Sequence, residues 1–250
     1  MQTIPITNLL LMALPLLLIV AVMVRWSMDG WTVIYSIGRM LLQLLLVGYI
    51  LVYIFETEHA LVVTTVICVM LLISGTIAMR PVKKRHRYLY LHVFTSIVVG
   101  CVLMLALVTQ CVLELDPWFR PQFMIPIAGM IFANAMNAVS LAAERFAAET
   151  DNAIVYTEAR KQALHVAMIP LVNSMFAVGL VSLPGMMTGQ ILSGVSPLIA
   201  ARYQIMVMCM IFGSAGISVI CYLLLAKLRF FSGSGSNEKP SAGTKPQTGT

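Results

Sequence analysis

Charged side chains are scarce in this chain of 250 residues: Asp, Glu, Lys and Arg make up 10% of it, against 60% hydrophobic residues. A water-soluble domain needs roughly a quarter of its residues charged to cover its surface, so most side chains here must face lipid or one another. None of the five cysteines (Cys68, Cys101, Cys111, Cys209, Cys221) forms a CxxC pair, and all sit in apolar stretches. Neither a disulfide framework nor a zinc site is supported. The four histidines (His59, His86, His92, His165) are scattered, with no HExxH spacing, so no metal site can be assigned from them. No GxxxxGK followed by Ser or Thr occurs, which leaves the chain without a phosphate loop of its own. No Lys or Arg precedes Arg25, so the basic start of a cleavable signal peptide is missing and the first apolar segment is expected to stay in the membrane.

What is present is a series of apolar runs. A membrane crossing takes about 20 such residues, and seven candidates stand out, at about 5–25, 34–55, 60–79, 89–113, 123–143, 163–192 and 198–226. The expected fold is all-α, a polytopic integral membrane protein with seven transmembrane helices. The net charge of +6 does not point to nucleic acid, because the basic residues cluster at the ends of apolar segments. One side carries Arg25, Arg80, Lys83, Lys84, Arg85, Arg87, Arg145, Arg160, Lys161, Lys227 and Arg229, the other only Arg120 and Arg202. Positive loops stay in the cytoplasm, which places the N-terminus outside and the C-terminus inside. The acidic loops Glu56–Glu58 and Glu114–Asp116 then face out. Trp118 suits the outer interface, Trp26 and Trp31 the inner one. From Ser232 the sequence turns to Ser, Gly, Lys, Pro and Thr, so residues 1–231 read as the membrane domain and 232–250 as a disordered polar tail.

Three segments are not plain lipid spans. In the second, Arg39 and Gln43 stand i,i+4, and a charge within a span costs about 2.5–3.5 kcal/mol unless it pairs or snorkels. Arg39 either reaches the inner headgroups or shares with Gln43 a face turned into the bundle. In the fifth, Gly129 and Ala133 make a small-xxx-small step, and Asn134 and Asn137 share a face, as helix-to-helix glue or as the lining of a substrate path. The sixth runs about 30 residues and contains Ser182-Leu183-Pro184-Gly185-Met186-Met187. Pro184 removes a helical hydrogen bond and Gly185 frees the backbone, so the helix is expected to break there. Broken backbone at membrane depth is tolerated only against protein or a water-filled cavity. The 18 methionines read as apolar filler rather than soft-metal ligands.

VGLVSLPGMMTGQILSGVSPLIAARYQIMVM (Val178 to Met208), MIPIAGMIFANAMNAV (Met124 to Val139) and SIGRMLLQLLLVGYILVYIF (Ser36 to Phe55) together resemble the FetB-type iron-export ABC transporter permeases. The resemblance runs from the second segment to the seventh. It implies an inner (plasma) membrane permease, an exporter of iron or another metal ion, and a separate ABC ATP-binding subunit that carries ATP and Mg. It also implies a homodimer of permeases, with no cofactor in this chain. The substrate path would then be drawn from Arg39, Gln43, Asn134, Asn137, Asn173, Ser182, Pro184, Gly185, Met186 and Met187. A coupling loop at 144–162 would hold Glu144, Arg145, Glu149, Glu158, Arg160 and Lys161. The chain departs from the family pattern here: a longer cytoplasmic stretch with a Leu-Gly-Ala-Thr-like turn is missing.

Two other classes compete. An ATP-independent secondary transporter would want an acidic residue within a span, and all ten carboxylates lie in loops, at helix edges or in the tail. An intramembrane serine hydrolase would use Ser214 or Ser182 with His165 as base. On a continuous helix His165 and Ser182 stand roughly 25 Å apart, at 1.5 Å per residue, far beyond the reach a nucleophile and its base need.

The topology has a direct check. A cysteine at Asp116 in a cysteine-free chain should react with a membrane-impermeant maleimide in intact cells, and one at Lys84 only after permeabilisation. The reverse pattern inverts the orientation.

Overall fold

The computed structural model describes residues 11–26, 30–56, 59–82, 87–152 and 154–234, together with Pro5 and Asn8. The chain divides into two compact units, Met1–Thr57 and Glu58–Thr250.

Among the described residues the first unit holds two packed helices, α1 (Ala13–Arg25) and α2 (Gly30–Phe55). Leu, Ile, Val and Met make up more than half of each, and only Gly30 is buried within them. Exposed aliphatic side chains around an uninterrupted helix are what acyl chains solvate, since every backbone group within it is satisfied internally. Tyr49 and Tyr53, one turn apart, share a hydroxyl–hydroxyl contact of 3.2 Å. Upstream of Leu11 only Pro5 and Asn8 are described, so Ile6, Thr7, Leu9 and Leu10 of the segment expected at 5–25 lie outside the described residues.

The described residues of the second unit form six helices: α3 (Ala60–Ala78), α4 (Arg87–Ala106), α5 (Pro121–Asp151), α6 (Tyr156–Ala177), α7 (Gly185–Leu192) and α8 (Pro197–Ser234). The end of α4 continues as a π-helical turn at Leu107–Val112. No β-strand occurs among the described residues. Helix α8 packs along α4 and α5, and α5 in turn packs on α3 and α6. Val63, Val93, Ile97, Ile131, Val139, Ala215 and Val219 are among the fully or almost fully buried residues of this core.

Small residues set how closely these helices approach, as expected where no hydrophobic force separates protein from lipid. A Cβ at Gly100 would lie 2.8 Å from the backbone nitrogen of Ser218 and 2.9 Å from the carbonyl oxygen of Ser214. Only glycine lets α4 and α8 meet there. A Cβ at Gly129 would lie 3.4 Å from the Met70 side chain of α3, an ordinary contact, so this approach does not demand glycine. Ala133 is exposed, so only half of the predicted small-xxx-small step is used for packing inside the unit.

Among the described residues five helices are long and apolar enough to cross a membrane: Gly30–Phe55, Ala60–Ala78, Tyr88–Val112, Pro121–Asp151 and Pro197–Lys227. They coincide with five of the seven expected segments. The sixth differs: instead of one helix over 163–192 there are two, α6 and α7, separated by seven non-helical residues. Of the basic residues used to orient the chain, Lys83, Lys84 and Arg85 lie outside the described residues, as do Glu58 and, beyond Ser234, the polar tail.

Gly100→Val drives a branched side chain into the α8 backbone, which cannot swing aside. Overpacking of this kind costs about 1–3 kcal/mol, so the melting temperature in detergent should fall by several degrees. Gly48→Val has open space around it and should leave melting unchanged. Equal melting of both variants would contradict the close α4–α8 approach.

Candidate functional site

The break between α6 and α7 is built by its own backbone. Helix α6 ends at Ala177, seven residues before Pro184, and Gly179 takes a left-handed φ of +85°. The Ala177 carbonyl accepts from the amides of Leu180, Val181 and Ser182, and the Gly179 amide donates to the Ser182 carbonyl at 2.9 Å. The amides from Val178 to Ser182 thus all find acceptors without regular helix. Pro184 was expected to break a helix, and instead it stands at the entrance to one. Its extended backbone precedes Gly185, and its carbonyl accepts from both the amide and the hydroxyl of Thr188. A proline lacks only the amide that a first helical turn leaves unused, so the interruption falls before it. At eight residues, roughly 12 Å long, α7 cannot cross a bilayer. The turn leaves Leu180 and Val181 91% and 84% exposed.

Next to this break, α5, α6 and α8 enclose a cleft of about 130 Å³. It is lined by Asn134 of α5, by Pro170, Leu171, Ser174 and Met175 of α6, and by Met208, Ile211 and Phe212 of α8. Asn134 is half-buried and donates its amide to the Met130 carbonyl at 2.8 Å. Its amide oxygen therefore remains an acceptor. Pro170 lies inside α6 and deprives the Val166 carbonyl of its usual helical donor. An amide oxygen, a hydroxyl and two thioethers in an otherwise apolar wall form a neutral polar patch at the depth of a spanning helix.

The path residues are divided by the structure. Asn134 lines the cleft, while Asn137, almost one turn further along α5, and Asn173, beside Ser174, are exposed. Ser182, Pro184, Gly185, Met186 and Met187 form the break and the start of α7, with Pro184 and Met187 half-buried. Arg39, half-buried, and Gln43, exposed, lie on α2 of the first unit. Pro170, Ser174, Met175, Met208 and Phe212 were not anticipated. The sequence Ile169-Pro170-Leu171-Val172-Asn173-Ser174 held a signal, a proline followed by two polar residues inside an apolar run.

The segment expected as a loop at 144–162 is helical on both arms. Helix α5 runs on to Asp151 and α6 starts at Tyr156, so 31 residues of α5, roughly 46 Å at 1.5 Å per residue, outrun a hydrocarbon core of about 30 Å. Alanine-rich sequence favours helix here, and Ala142, Ala143, Phe146, Ala159 and Ala163 are buried. Arg145 pairs with Glu149 one turn on, Gln162 donates to Glu158 at 3.1 Å, and Arg160 lies over the Tyr156 ring. Glu144, Glu158, Arg160 and Lys161 are exposed. These charges form the surface of a helical hairpin.

Ser214 is fully buried, and its hydroxyl donates to the Ile211 carbonyl at 3.1 Å. It packs helices and offers no nucleophile. His165 is on α6 and Ser182 lies beyond its end, on the exposed turn. Among the described residues no group of three or more His, Cys, Asp or Glu could hold a metal ion.

Apolar helices, a self-satisfied break and a small neutral cleft define a multi-pass α-helical membrane protein. The model of an uncharacterised protein family, UPF0014, matches residues 6–231, and the chain belongs to that family. It is 37% identical over 215 residues to the "Probable iron export permease protein FetB" of Escherichia coli, covering 78% of this chain and 80% of that one. Similarity of 34% over 210 residues links it to a UPF0014 membrane protein of Synechocystis, with 78% and 81% covered. "Protein ALUMINUM SENSITIVE 3" of Arabidopsis thaliana is 33% identical over 221 residues, with 82% and 79% covered. No solved structure matches.

Gly179→Ala forces a side chain into the left-handed region at a cost of about 1–2 kcal/mol. Its melting temperature should fall, whereas Gly185→Ala, helical and with open space around it, should not melt lower. Matched melting curves would contradict the turn geometry.

Proposed function

We propose that the chain is the membrane-spanning permease of an ABC-type exporter for a metal ion, iron by similarity to FetB, energised by a separate ATP-binding subunit. The observation that carries this reading is the α6–α7 break beside the Asn134–Ser174 cleft, in a chain whose relative is named an iron export permease. Interrupted helices beside polar groups mark the binding sites of many transporters. A pathway needs polar atoms that can replace part of an ion's water shell. Asn134, with Ser174 beside it, supplies such oxygens, and Asn137, Asn173 and Ser182 extend them along α5, α6 and the turn. Pro184, Gly185, Met186 and Met187 shape the wall, and Arg39 and Gln43 of α2 are further candidate path residues on the first unit.

In this reading the chain crosses the inner membrane seven times, with the N-terminus outside and the C-terminus in the cytoplasm. Residues 1–231 are the permease and 232–250 a polar extension. Two copies assemble with two ATP-binding subunits that hold ATP and Mg. The α5–α6 hairpin reaches beyond the bilayer and offers Glu144, Arg145, Glu149, Glu158, Arg160 and Lys161 to the ATPase. ATP-driven approach of the two ATPases pushes on the hairpin and alternates access to the cleft.

The test is co-expression with an ABC-type ATP-binding subunit of the same genome. A complex should survive mild detergent, and inverted vesicles holding it should accumulate Fe(II) only with ATP. Asn134→Leu should cut that accumulation about tenfold while the complex persists. Absence of a complex, together with accumulation that ignores ATP, would contradict the reading.

A further inference from the structure

We propose that the Tyr156 hydroxyl is the positioning group through which movement of the α5–α6 hairpin reaches α8, and so the cleft. This rests on the permease reading above. Tyr156 opens α6 at the tip of the hairpin, just after the turn from α5, and is only 4% exposed. Its hydroxyl donates to the Leu223 carbonyl of α8 at 2.8 Å, across 67 residues of chain. A polar side chain spanning two helices at a buried point is directional, because the bond weakens steeply when donor and acceptor shift.

The surroundings make this point a joint of three helices. The Phe146 ring of α5 stands edge-on to Tyr156, with centroids 6.0 Å apart, and edge-on to Tyr222 of α8 at 6.4 Å. The Arg160 guanidinium sits 5.6 Å from the centre of the Tyr156 ring, so the joint continues into the exposed charged face of the hairpin. The same three helices line the cleft through Asn134, Ser174 and Met208. Phe146 stands 12 residues beyond Asn134, roughly 18 Å along α5, and Leu223 stands 15 residues beyond Met208, roughly 22 Å along α8.

A rigid helix carries displacement over such lengths. What decides whether α8 follows the hairpin is therefore the contact at this joint. Edge-to-face rings tolerate sliding, whereas the hydroxyl–carbonyl bond fixes the register of α6 against α8. Tyr156→Phe separates the two effects, since it keeps the ring cluster and removes only the bond.

The test uses the full chain in complex with the ATP-binding subunit. Tyr156→Phe should co-purify as well as the wild-type chain and melt within a few degrees of it. Stimulation of ATP hydrolysis by Fe(II), and ATP-driven Fe(II) accumulation, should each fall at least fivefold. Unchanged stimulation would overturn the proposal. Loss of the complex in step with lost activity would equally overturn it, because the residue would then serve docking or folding. A wild-type chain that forms no complex would instead overturn the permease reading and the coupling role with it.

Discussion

Inside a bilayer no water is at hand to satisfy a stray amide or carbonyl, so every irregular stretch of backbone must close its hydrogen bonds within the protein. In the turn between α6 and α7 the amides from Val178 to Ser182 all bond within the protein. One carbonyl, that of Ala177, takes three amides, and Gly179 returns a bond to Ser182. A second irregular turn follows α7, where Gly194 takes a φ of +92° and the amides of Ser193, Gly194 and Val195 close back on Gly189, Gln190 and Ile191. With its backbone thus closed, the stretch is free to leave helical geometry and still sit beside spanning helices. That freedom permits a cleft where a continuous rod would have filled the space.

The rest of the second unit supplies rigidity around that freedom. Gly100 brings α4 against α8 closely enough that no side chain fits between them, and the buried valines, isoleucines and alanines hold α5 and α8 as a core. The cleft and the hairpin are two ends of the same helices, α5 and α6, with α8 running beside both. Leverage follows from that continuity, because a force at the hairpin tip must either shift α6 against α8 or be transmitted along them. The aromatic joint at Phe146, Tyr156 and Tyr222 stands between those outcomes.

Much of this was legible in the residues, and the misses have physical causes. Five long apolar runs became five long helices, because about 20 apolar residues in a row have few alternatives. The broken segment was readable from Pro184 and Gly185, but its position was not. Pro184 suggested a helix end, whereas a left-handed glycine five residues earlier had already ended it. The hairpin was hidden by its charge: Glu144, Arg145, Glu149, Glu158, Arg160 and Lys161 look like a solvated loop, yet the alanines between them pack two helices together. The cleft was least visible. Asn134 could be singled out as a polar residue in a span, but its neighbours Pro170 and Met208 are distant in sequence, and no periodicity within one helix reveals a contact with another.

Water access at Asn134 is the most direct test of a wet route beside the break. In a cysteine-free chain held in its native membrane, Asn134→Cys should react with a charged, membrane-impermeant thiol reagent. A cysteine at Val99, exposed on the outer surface of α4, should not, since only acyl chains reach it. If the two positions stay equally unreactive under all nucleotide conditions, the cleft is a dry packing defect and no pathway passes through it.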